Sequence, residues 1–149
     1  MTIEEEIKGR FRNDYHKGLI NLTYTVKQLS YEFYRSLKSH EITEQQYNVL
    51  RILRGFISEA PLSIGYIKER MLDKDSDVSR IVDRLYEKGM VSRIENPSDR
   101  RQKSIGITTK GLSLLERMHE CEKNVDKLLV NLTEEEVKEL NRLLDKIRS

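Results

Sequence analysis

The stretch from Asp73 to Gly89 constrains the fold more than any other part of the chain. It opens with a polar run, Asp73 to Asp77, whose composition is that of a turn and a helix cap. Val78, Ile81, Val82 and Leu85 come next at i, i+3, i+4 and i+7, a single apolar stripe at helical period. Ser76, Ser79, Arg80, Asp83, Arg84 and Glu87 fall on the opposite, outer face, and Gly89 supplies a left-handed stop. The spacing predicts a short amphipathic helix with Asp75 or Ser76 as its cap. Just upstream, after Pro61, Ser63 is placed to cap another short helix running to Met71. Two short helices joined by a tight polar turn form a helix-turn-helix.

A hairpin comes next in the chain. Met90 to Glu95 and Lys103 to Thr108 read as short strands, with Ile105 and Ile107 alternating with polar neighbours. Asn96, Pro97, Ser98 and Asp99 form the turn between them. A helix-turn-helix joined directly to a hairpin is the winged helix-turn-helix plan, so the expected fold class is mainly α with a small β-hairpin wing. Charge is sorted to match. Between Met90 and Lys110 there are Arg93, Arg100, Arg101, Lys103 and Lys110 against Glu95 and Asp99, an excess of three positive charges. The whole chain carries only +2, so the remainder is slightly acidic. Basic side chains on a narrow hairpin suit the minor groove and fix register through phosphates. The second helix of such a motif presents its N-terminal residues to base edges. The candidate DNA-contacting residues are therefore Ser76, Asp77, Ser79, Arg80 and Arg84 on the helix and Arg93, Arg100, Arg101, Gln102 and Lys103 on the wing. Asp77 and Asp83 would repel phosphate, so capping, orienting an arginine or reading cytosine suits them better.

Longer helices flank this centre. From Asn13 to Lys38 the stripe is Leu19, Leu22, Val26, Leu29, Phe33 and Leu37, widened by Tyr24, Tyr31 and Tyr34. Thr43 and Gln46 form a capping box that opens a helix reaching Gly55. After the hairpin, Leu114, Met118, Cys121, Val125 and Leu128 stripe a helix to about Leu129. A second capping box, Thr133 with Glu136, opens the last helix. An apolar fraction of 37% is too lean to cover both ends of such a chain by itself. We expect a single domain over residues 1–149, with a DNA-binding lobe at 43–108 and helical dimerisation regions at 10–40 and 109–149.

The run from Val78 to Val91, and Asp99-Arg100-Arg101 with Ile107-Thr108-Thr109-Lys110-Gly111 after it, resemble the multiple-antibiotic-resistance regulator (MarR) family. That family carries an acidic-x-Arg motif at the wing and then Leu-Thr-x-x-Gly, with Ile107 here in place of the leucine. The resemblance implies homodimers joined through the N-terminal helix and the last two helices. It implies repression from pseudo-palindromic double-stranded DNA, with half-sites roughly 34–36 Å apart. It also implies release by a small, often phenolic, effector in a cleft between the dimer region and the DNA-binding lobe. Asp99 would brace the wing by pairing with an arginine, and Arg101 would enter the minor groove. His16 and Tyr47 are candidates to line the cleft, with ordinary surface and core roles as the alternative.

Other classes are less well served. The lone Cys121 precludes an intrachain disulfide framework and sits on an apolar stripe, where a thiol is a small hydrophobe. A redox-responsive regulator using Cys121 is the alternative. His16, His40 and His119 lack metal-ligand spacing, so no metal or other cofactor is expected. There are no paired catalytic carboxylates, no nucleophile elbow and no phosphate-cradling glycine loop, which argues against an enzyme. The acidic start and the lack of an apolar run of ~18 residues point to the cytoplasm, away from membranes. A winged-helix protein–protein adaptor would need an apolar recognition face, and this one is polar.

Overall fold

The computed structural model describes residues Met1–Ser149 apart from the side chain of Arg100. Its helices are α1 (Ile3–Ile7), α2 (Asp14–Ser39), α3 (Glu44–Gly55), α4 (Ile64–Arg70), α5 (Val78–Glu87), α6 (Thr109–Arg117), α7 (His119–Asp126) and α8 (Glu134–Ile147). Its strands are β1 (Leu62–Ser63), β2 (Val91–Asn96) and β3 (Asp99–Ile107). The chain forms two compact units, Ser36–Lys123 and Met1–Arg35 with Asn124–Ser149.

The central unit, Ser36–Lys123, is built around α3. Thr43 Oγ1 accepts from the Gln46 amide at 3.1 Å, and Gln46 Oε1 accepts from the Thr43 amide at 3.2 Å, closing the expected capping box. Tyr47, Val49, Leu50, Ile52 and Leu53 are all buried, so α3 is enclosed on nearly every side. Helices α4, α5 and α6 and strand β3 pack on it, contributing Ile67, Val82, Leu85, Leu114, Leu115 and Ile105 to the core. The α5 stripe is buried as expected at Val78, Val82 and Leu85, while Ile81 at its edge is half-buried. The helix expected from Thr109 to Leu129 divides at Met118. Its first part packs within the central unit, which thus extends past the expected lobe boundary at 108 to Lys123.

The cap of α5 is Asp77, whose Oδ1 accepts from the Arg80 amide at 3.2 Å. Asp75, expected as a cap, instead donates its amide to Asp73 Oδ1 at 3.0 Å within the turn. Ser76 stands one residue ahead of the cap and turns inward. It is 8% exposed, which corrects its expected place on the outer face.

The sheet has the order β1-β3-β2 and is antiparallel throughout. Sequence periodicity gave no sign of β1, whose two residues pair as Leu62 with Ile105 and Ser63 with Ser104. Strands β2 and β3 run in step from Val91–Ile107 to Glu95–Lys103, then jump to Asn96–Asp99. The jump is a bulge that leaves residues 100–102 without opposite partners. Strand β3 therefore begins at Asp99, earlier than the expected Lys103.

The terminal unit is different in kind. Thr2 and Glu5 form a capping box on α1. Ile3 is the one buried residue of this unit among the described residues. Lys17 pairs with Glu4, and the Tyr24 hydroxyl donates to Glu6 at 3.0 Å. Along α2, Leu19 is 63% and Val26 51% exposed; Leu143 and Ile147 on α8 are exposed too. Among the described residues no helix is long and apolar enough to cross a membrane.

Candidate nucleic-acid interface

On α5 the outer face carries Ser79, Arg80, Asp83 and Arg84, all exposed. Arg80 and Arg84, one turn apart, are in no ion pair among the described residues. With Thr43, Gln45, Asp73 and Asp75 they line a groove of about 360 Å³. Asp77 belongs to the same rim, but its carboxylate is engaged in capping. The Ser76 hydroxyl is buried and lacks a hydrogen-bond partner among the described residues, so it is not presented to solvent.

The wing sorts its polar side chains into tied and free. Arg93 shares a strand face with the buried Val91 two residues earlier and so points back toward α5. Its Nη1 donates to Asp83 Oδ1, and its guanidinium lies 4.2 Å from the centre of the Tyr86 ring. Arg93 is thus held on the helix. Asp99 Oδ1 accepts from the Arg101 backbone amide at 3.0 Å, and among the described residues Asp99 is in no ion pair. It shapes the backbone of the tip. Asn96 Oδ1 does likewise for the Ser98 amide at 3.0 Å. Arg101 and Gln102 are exposed and Lys103 is half-buried. Gln102 Oε1 accepts from Asn96 Nδ2 at 3.3 Å. The side chain of Arg100 lies outside the described residues. Arg101, Gln102 and Lys103 line a second groove, of about 340 Å³, with Ser63, Ile64 and Asn96.

Residues 107–111 anchor this surface. The Thr108 hydroxyl donates to the Gly89 carbonyl at 2.7 Å and accepts from the Gly111 amide at 3.2 Å. Lys110 Nζ donates to the Lys88 carbonyl at 2.7 Å, satisfying the end of α5. Gly89 has φ +73°, the left-handed stop its position required. A Cβ at Gly111 would stand 2.4 Å from the Met90 carbonyl oxygen, so only glycine fits there. Lys88 reaches across to the Glu41 carbonyl at 2.9 Å and Gln46 Oε1 at 3.2 Å, tying α5 to the start of α3. Sequence reasoning missed Tyr86 and Lys88. The signal for Tyr86 was its position three residues after Asp83, on one helix face.

His16 and Tyr47 belong to different units. His16 forms part of the start of α2: its amide donates to Asn13 Oδ1 at 2.9 Å and its Nδ1 accepts from the Arg12 amide at 3.3 Å. Tyr47 is buried in the central unit. Its hydroxyl donates to Glu122 Oε1 at 2.9 Å, and Arg54 Nη2 donates to the same oxygen at 3.2 Å. Burial first, then the bond to Glu122, pushes the Tyr47 phenol up to about 12. Cys121 is half-buried. Among the described residues no group of three or more His, Cys, Asp or Glu side chains is placed to hold a metal ion.

A polar, arginine-bearing second helix with a three-stranded wing behind it defines a winged helix-turn-helix transcription regulator. The MarR family model matches residues 42–103. Across 110 residues the chain is 33% identical to the multiple antibiotic resistance protein MarR of Escherichia coli, covering 72% of this chain and 74% of that protein. It is also 33% identical over 112 residues to the transcriptional repressor IacR of Pseudomonas putida, covering 74% of this chain but 65% of that one. A solved complex of a cysteine-to-serine mutant of Escherichia coli MarR with operator DNA superposes with a TM-score of 0.74 at 27% identity, over 93% of this chain and 99% of that one. The chain belongs to the MarR family.

Proposed function

We propose that this chain is a homodimeric, sequence-specific DNA-binding repressor that a small organic effector releases from its operator. The observation that carries the DNA reading is the register break in the wing. It frees residues 100–102 from the ladder and leaves Arg101 exposed next to a braced backbone. Ser79, Arg80 and Arg84 on α5 are the side chains for base edges in the major groove, where an arginine can take guanine bidentately. Arg101, Gln102 and Lys103 serve the minor groove and the phosphates. Family membership supports the dimer, repression and effector release, and the open apolar stripe of α2 supports the dimer independently.

The test is binding to fragments from the protein's own upstream region across a salt series. Arg101→Ala is expected to weaken binding about tenfold and to lower the slope of log affinity against log salt by about one. Binding equal to the parent at every salt concentration would remove Arg101 from the interface.

A further inference from the structure

We propose that Asp83, Tyr86 and Arg93 form a clamp that sets the wing against α5, and that Asp83 promotes DNA binding although its charge opposes DNA. The proposal rests on the DNA-binding function proposed for this chain. A guanidinium is planar, so a carboxylate at its edge and a ring against its face fix it in two directions. Here both supports come from α5 and the guanidinium comes from β2. Arg93 lies two residues before Glu95, where the β2–β3 register breaks. Beyond that break the wing has lost its regular ladder, so its aim depends on what holds its base.

The arrangement separates two readings by sign. If Asp83 were only a carboxylate on a face that meets phosphates, removing it would strengthen binding. If it holds Arg93, removing it frees the wing and weakens binding. Arg93 separates in the same way. As a phosphate ligand, its loss would lower the salt slope by about one. As a positioning residue, its loss weakens binding at the parent's slope. The pair is partly exposed, with side-chain exposures of 25% for Arg93 and 54% for Asp83, so variants lacking it are expected to fold.

The experiment measures DNA affinity against salt, together with amide hydrogen exchange of residues 96–103, for Asp83→Ala, Arg93→Ala, both together, the exchanged pair Asp83→Arg with Arg93→Asp, and Tyr86→Phe. Each alanine variant is expected to bind about tenfold more weakly at the parent's salt slope, and the double variant little worse than either single. The exchanged pair should recover most of the loss, and Tyr86→Phe, which keeps the ring, should match the parent. Exchange at the wing tip should quicken in the alanine variants while α3 stays protected. Tighter binding by Asp83→Ala, or a slope lowered by one in Arg93→Ala, overturns the proposal. If the parent binds no double-stranded DNA even at low salt, the DNA reading itself has failed. Wing-tip exchange then decides the clamp: unchanged exchange in both alanine variants rejects it.

Discussion

At Tyr47 one hydroxyl joins α3 to α7 across 75 residues of sequence. The bond to Glu122, shared with Arg54, lies at the edge of the core and fastens the start of α7 to the central unit. The folded-state pKa of about 12 lies above the ordinary value of 10, so folding favours the protonated phenol. Its contribution is fully present below pH 10 and is lost as pH rises from 10 toward 12. Tyr47→Phe should cost about 1.5–3 kcal/mol near neutral pH, the range for a hydrogen bond to a charged group. Denaturant unfolding at a series of pH values should show the parent losing more stability than the variant between pH 10 and 12. Parallel curves would show that the phenol is not coupled to folding. Tyr24 also titrates high, through its bond to Glu6, but it is present in both proteins and cancels in the comparison. The sequence offered Tyr47 as a candidate to line a ligand cleft, with a core role as the alternative. Its partner was invisible because nothing local links positions 47 and 122.

Among the elements, α5 was the most legible, since its stripe, its turn and its glycine stop lie within about four turns of chain. The cap was misplaced by one or two residues, because the run from Asp73 to Asp77 holds four side chains able to cap and only the packed turn selects one. Asp77→Ala should therefore destabilise the protein by about 1 kcal/mol in urea unfolding, and Asp75→Ala by distinctly less. The reverse order would return the cap to Asp75. Both long capping boxes, at Thr43 and Thr133, formed where the S/T-x-x-E/Q spacing put them. Strand β1 was illegible for the opposite reason. Two residues have no period of their own, and Leu62 becomes a strand only by pairing with Ile105, 43 positions later.

At the scale of the whole molecule the two units contrast. The central one has a closed core, whereas the terminal one buries only Ile3 among the described residues and leaves the α2 stripe open. Apolar surface is worth roughly 25 cal/mol per Å² when it leaves water, so a second copy covering these helices would supply what the unit lacks. Val26→Glu, in the middle of that stripe, should shift the chain from dimer to monomer in sedimentation equilibrium. The parent's melting temperature should rise with protein concentration and the variant's should not. A parent that stays monomeric at high concentration would end the dimer reading. The low net charge of +2 had already required that any attraction to DNA come from sorted charge, and the wing holds that excess.

The helix-turn-helix, the hairpin, the capping boxes at Thr43 and Thr133 and the collection of basic residues at the wing were all legible along the chain. Each of these depends on residues close to one another in the chain, and local spacing carries that information. Which polar residues are tied down depends on packing between elements. Ser76 turns inward beneath the cap, Asp99 holds its own backbone, and Arg93 is taken by Asp83 and Tyr86. Periodicity names the face of a helix or strand on which a side chain stands, but not the residue of another element that comes to meet it. For this wing, that meeting separates the arginine that aims from the arginine that is left to reach.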